Sequence, residues 1–202
     1  KAWERIGHLY PQVDLPKEYG GGKATVIAWI WARTVPSPDP AFSDVQVPLV
    51  KSFDLSKKKG NAFWVEPIVS GGEYTFEIRS SKNGDKYNGA DGTVTRAGGR
   101  CLVSNAAMPF SYLREIAASG RLGQRLMAVV AEGPRGRVYL PPDDRSIAVA
   151  ASAEPDDKPS LQISHWPGRT NVVEYGMTQF GDLFTDRQLV ALNTLSDLVE
   201  EA

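Results

Sequence analysis

Polar positions are sparse over residues 24–35, where only Thr25, Arg33 and Thr34 interrupt an apolar stretch rich in β-branched and aromatic side chains that predicts a strand. Alternation puts Thr25, Ile27, Trp29, Trp31 and Arg33 on one face and Val26, Ala28, Ile30 and Ala32 on the other. Two faces of that bulk imply burial on both sides, or one side docked on a partner domain. Residues 46–55 predict a returning strand and residues 57–60 a turn. Residues 62–69 and 74–78 predict a hairpin across Ser70-Gly71-Gly72. Residues 80–92 are polar and rich in Gly, Asn and Asp, the composition of a mobile loop. Short strands are expected at 93–96 and 100–103. A second hairpin is expected at 126–131 and 137–140, across 132–136.

Helical spacing is confined to a few places. Residues 2–10 read as a helix end carrying Trp3, Ile6 and Tyr10, broken by Pro11 and Pro16. Ser111 is a suitable N-cap for a helix to about Ser119, with Gly120 at its stop. Asp143 or Asp144 caps a short helix over 146–153. Residues 154–174, rich in Pro and Asp, predict irregular chain. Thr185-Asp186-Arg187-Gln188 is a capping box. It opens the clearest helix, about 186–200, with Leu189, Leu192, Leu195 and Val199 at helical spacing.

Composition adds limits. A chain of 202 residues, 42% apolar and 23% charged, fits one globular domain, with or without a small lobe. No apolar run is long enough to span a membrane as a helix. The chain opens at Lys1-Ala2-Trp3 with neither a signal-peptide pattern nor an initiator methionine, so it reads as an internal piece of a longer protein. A single cysteine gives no disulfide framework and fits a reducing, cytoplasmic setting. The net charge of −1 is unevenly spread: residues 51–145 hold fifteen basic against ten acidic groups, and residues 146–202 three against nine. The basic middle reads either as a solvated surface of mixed sign or as a face for nucleic-acid phosphates. Its arginines Arg121, Arg125, Arg135 and Arg137, on and beside the second hairpin, are the DNA-binding candidates. Trp29, Trp31 and Trp64 could stack bases or fill a core.

Motifs for chemistry are thin. Gly20-Gly21-Gly22-Lys23 lacks the glycine spacing of a phosphate-binding loop. Asp39-Pro40-Ala41-Phe42 and Leu140-Pro141-Pro142-Asp143 miss the order of an Asp-Pro-Pro-Tyr motif, the kind that grips a flipped adenine. His8 and His165, the only histidines, stand far apart in sequence and near no recognisable nucleophile. No catalytic and no cofactor-binding residue is assigned.

Six segments carry a resemblance. They are RIGHLYP (5–11), VIAWIWARTVPSPDPAFS (26–43), VPLVKSFDLSKKKG (47–60), GTVTRAGGRCLVSN (92–105), GRLGQRLMAVVAEGPRGRVYLPP (120–142) and YGMTQFGDLFTDRQLVALNTLSDLV (175–199). In content and order the chain resembles a family of prokaryotic proteins described as adenine-specific DNA methylases that contain a zinc ribbon, with an N-terminal domain of unknown function. The resemblance implies C-x4-C and C-x2-C knuckles whose cysteines fall on Ser37, Phe42, Cys101 and Ser104. Three of those four ligands are absent, so no structural metal is expected. Phe42 is expected to plug the space a metal would leave, and the hairpins to be held by packing.

The resemblance implies an α+β fold with antiparallel β hairpins in a degenerate zinc-ribbon-like arrangement and a few flanking helices. Residues 1–202 then form one insert domain of a longer methylase, with a ribbon-like β part at 24–105 and an α+β part at 106–202. The parent would transfer a methyl group from S-adenosylmethionine to adenine in DNA, its cofactor loop lying upstream of this chain and its catalytic motif downstream. This chain would be inactive alone. It would contact double-stranded DNA or scaffold the rest of the methylase. The alternative is a structural or protein-interaction module with no nucleic-acid contact.

Overall fold

The computed structural model describes residues 1–84, 86–87 and 89–201. Asp85 and Asn88, in the loop expected over 80–92, lie outside the described residues. The elements run α1 (Ala2–Ile6), β1 (Val13–Asp14), β2 (Lys23–Ala24), β3 (Val26–Pro36), β4 (Gln46–Pro48), β5 (Asp54–Lys58), β6 (Asn61–Ser70), β7 (Glu73–Ser80), β8 (Val94–Thr95), β9 (Gly98–Arg100) and β10 (Ala107–Met108). Then come α2 (Phe110–Ala118), β11 (Gly123–Gly133), β12 (Gly136–Leu140), α3 (Asp144–Ala151) and α4 (Asp186–Glu200). All strand pairing within the sheets is antiparallel, and the fold is α+β.

The organising sheet has the order β12-β11-β3-β4, so the parts expected at 24–105 and 106–202 share it. One face carries Trp29, Trp31, Leu126 and Val129, which pack with Val13, Leu15 and Leu140. The other carries Ile30, Ala32 and Ala128 against Phe53, Val65, Tyr74 and Phe76 of the β5-β6-β7 sheet. Both faces of β3 are therefore occupied, as its two bulky faces predict. Its alternation is not strict, however. The register with β11 shifts between Val130 and Ala131, whose partners are Ala28 and Val26, leaving Ile27 as the extra residue. That bulge turns Val26 onto the tryptophan face and leaves Ile27 half exposed. A second shift, at Met127, lets Leu126 and Val129 both reach that face.

The strand expected over 46–55 is two strands in two sheets. The chain crosses between them over residues 49–53. The crossing packs tightly on Gly92, where an added Cβ would lie 2.1 Å from the Val50 carbonyl oxygen. The β6–β7 hairpin turns on Gly71 and Gly72, both left-handed at φ 61° and 86°, the geometry a two-residue hairpin loop requires. β8, β9 and β10 form a small sheet beside a third core of Val35, Val47, Cys101, Met108, Leu113 and Ile116.

Local signals set the helix ends. Asp143 accepts the Ser146 N–H at 2.8 Å and caps α3. Thr185 and Gln188 form the expected capping box on α4. α1 lies along α4, and Arg5 holds Glu201 through two bonds of 2.6 and 2.8 Å. Of the apolar residues at helical spacing on α4, Leu189 is buried; Leu192, Leu195 and Val199 face solvent. No helix among the described residues is long and apolar enough to cross a membrane.

Candidate functional site

Three of the four positions that the resemblance singles out, Ser37, Cys101 and Ser104, come together at the Cys101 thiol. Cys101 follows β9 and is buried. Burial pushes its thiol pKa up, but hydrogen bonds from the hydroxyls of Ser104 and Ser37 and the N–H groups of Ser104 and Val103 outweigh that. The pKa lies below the ordinary thiol value. The turn is drawn tight by the Asn105 N–H donating to the Cys101 carbonyl at 3.0 Å and the Cys101 N–H to that of Ala106 at 2.9 Å. Asn105 has φ 59° and is the one non-glycine residue with positive φ among those described. Ser37 is anchored by its N–H on the Val45 carbonyl at 2.8 Å, and its hydroxyl accepts the Asp39 N–H at 3.2 Å.

This cluster can stabilise a thiolate. Successive N–H groups aimed at one atom form an anion-binding concavity, and two hydroxyls extend it. It does not fit a zinc ion, which needs four strong ligands where this site offers one thiolate. No group of three His, Cys, Asp or Glu side chains is placed to hold a metal among the described residues. Phe42 departs from its expected role. It ends a short 3-10 turn, Pro40–Phe42, capped by the Asp39 carboxylate. Its ring lies instead against Gly72 of the β6–β7 turn, where an added Cβ would come within 3.1 Å of it. The space beside Cys101 is filled by Val35, Val47, Met108, Leu113 and Ile116.

The four arginines do not come together. Arg125 lies over the Tyr74 ring at 4.1 Å and donates to the Tyr74 carbonyl at 2.8 Å, which fixes β11 to β7. Arg121, after α2, donates to the Ser119 hydroxyl at 3.0 Å. Arg135 and Arg137 sit at the far end of the β11–β12 hairpin, with Glu132 directly opposite Arg137. Eight residues of β11, roughly 26 Å, follow Arg125 before the turn that carries Arg135.

Two of the tryptophans are engaged internally. Trp29 donates to the Ser146 hydroxyl at 3.0 Å, and Trp64 donates to Glu66 at 2.9 Å and packs on Tyr87. His8 is exposed, and His165 lies 3.4 Å from Glu174.

Sequence reading missed Arg187. It is buried, with its guanidinium 3.9 Å from the Trp29 ring centre, and it lines a cavity of about 390 Å³ next to Trp31. One local signal was available: a cation in the first turn of a helix opposes the helix dipole. No protein-family model, no curated protein and no solved structure matches the chain.

Proposed function

We propose that this chain is an internal, non-catalytic domain of an S-adenosylmethionine-dependent, adenine-specific DNA methyltransferase, and that it docks on the rest of that protein as a scaffold. The family reading rests on the six segments and their order. The docking reading rests on α4, whose Leu192, Leu195 and Val199 are 48%, 51% and 77% exposed along one side of the helix. Solvent-facing apolar stripes of this kind mark interaction surfaces. Trp3, on the adjoining α1, is 67% exposed as well. The test is the parent methylase carrying Leu192→Asp, Leu195→Asp and Val199→Asp. Loss of methyl transfer with the domain still folded is the expected result; unchanged transfer and unchanged assembly would overturn the docking role.

A second reading, contact with double-stranded DNA, is favoured by a different group than the four arginines. Lys58 and Lys59 lie at the β5–β6 turn, and Lys82 follows β7 next to them, held there by the Ser81 hydroxyl on the Ala62 N–H at 3.0 Å. None of the three has an ion-pair partner among the described residues. Their replacement by Ala is expected to flatten the salt dependence of DNA binding by about one counterion for each phosphate that a lysine had neutralised. An unchanged slope would remove this reading.

The arrangement at Cys101 supports a further reading, that the two knuckles descend from a zinc ribbon and kept their amide geometry after losing ligands. Ser37→Cys and Ser104→Cys together, which with Cys101 bring three thiols to one place, are expected to create zinc binding that the natural chain lacks. Equal zinc content in both proteins would count against it.

A further inference from the structure

The helical layer covers the tryptophan face of the large sheet incompletely, and over Trp31 the cover opens into the cavity of about 390 Å³. Three cations line it, Arg33, Lys158 and Arg187, together with the carboxylates Asp182 and Asp186. Lys158 and Asp182 pair at 3.2 Å, and Asp182 also accepts the Thr178 and Gln179 N–H groups at 3.0 Å each. Those two charges cancel and are fixed.

Arg187 is different. It is 9% exposed and has no carboxylate within ion-pairing reach among the described residues. Its contacts are the Trp29 ring at 3.9 Å, the Tyr10 ring at 5.7 Å and the Leu9 carbonyl at 3.4 Å. A guanidinium carries five N–H donors, so most of its donor capacity is unused. The only side-chain nitrogen or oxygen sealed from solvent without a partner, among the described residues, is Asn61 Oδ1. The remaining donors of Arg187 are therefore not sealed from solvent, and Arg187 is one of the residues that line the cavity. Burial lowers the pKa of Arg187 and no carboxylate offsets it, which is the environment an anion would relieve.

We propose that this cavity binds a small molecule bearing a phosphate group on a flat ring, with Arg187 and Arg33 holding the phosphate and Trp31 forming the apolar wall. A carboxylate saturates one guanidinium fork with its two oxygens, whereas a phosphate has oxygens for two forks at once. Asp186 leaves the site with one net positive charge, enough to favour an anion and to reject cations. The chemistry is that of the cavity itself and does not depend on the methylase reading.

The probe is phenyl phosphate, titrated into the full 202-residue chain and followed by the Trp31 indole and Arg187 Nε–H signals in ¹H–¹⁵N spectra. Saturable shifts in the millimolar range are expected, weaker with inorganic phosphate and absent with phenol. Arg33→Ala is expected to weaken binding about tenfold through loss of one charge-assisted contact. Arg187→Lys, which keeps the charge and removes the fork, is expected to act similarly. Arg33 is on the exposed side of the site, so its variant keeps the test decisive if the buried one fails to fold. Absence of saturable shifts with phenyl phosphate, equal binding of phenol, or affinity unchanged by Arg33→Ala would each overturn the assignment.

Discussion

Asn105 is the residue on which the Cys101 turn depends, because it occupies the left-handed region at φ 59° with a side chain attached. Asn tolerates that region and Gly favours it, whereas other residues pay about 1–2 kcal/mol there. Asn105→Ala is therefore expected to destabilise the chain by about 1 kcal/mol in urea unfolding, and Asn105→Gly to leave it unchanged or slightly more stable. Asp54 offers a test against pH. Burial pushes its carboxyl pKa up, but bonds from Ser52, Lys57 and Tyr87 outweigh that and hold it below the ordinary value. With the folded value the lower of the two, the stabilisation is complete above the unfolded pKa and fades as pH falls through the folded one. Asp54→Asn is expected to cost about 1–3 kcal/mol at neutral pH, with the gap to the natural chain closing below about pH 4.

Among the elements, those specified locally were legible and those specified by distant partners were not. Two-glycine turns, capping residues and prolines act within a few positions, so the β6–β7 hairpin and the start of α4 read directly from the sequence. The bulge at Ile27 did not, because nothing in residues 24–35 says that β11 will meet them out of step. The division between β4 and β5 was hidden for the same reason: the crossing at 49–53 is shaped by Gly92, some forty residues on. At the site, the resemblance drew attention to Ser37, Cys101 and Ser104, but the position of Phe42 against Gly72 depended on a hairpin elsewhere. That contact is open to measurement. Gly72 combines φ 86° with the Phe42 ring, so Gly72→Ala is expected to cost more than about 1 kcal/mol, and more than Gly71→Ala, which meets nothing within 4 Å.

For the molecule as a whole, the faces of α4 divide stability from interaction. Leu189 is 1% exposed, and Leu189→Ala is expected to cost about 2–5 kcal/mol in denaturant unfolding. Leu192→Ser, Leu195→Ser and Val199→Ser together are expected to shift stability far less while lowering any tendency of the isolated chain to self-associate, read by sedimentation. If the exposed triple proves as destabilising as Leu189→Ala, the stripe belongs to the fold and not to a partner. Sequence periodicity could show the stripe but not which part of it the rest of the chain would cover. α4 packs through the other side, where Arg187 is buried and Val190, Thr194 and Leu198 are half-buried.

The sheet order has a temporal side. β3 finds its main partner, β11, only after roughly ninety to a hundred further residues have been made, and β4 covers just its last three positions. At ribosomal rates of about 5–20 residues per second, β3 waits about 5–20 s with a bare edge and two apolar faces. Emerging chains of this protein are thus a natural client for whatever shields nascent strands, and a chain cut before Gly123 would remain one.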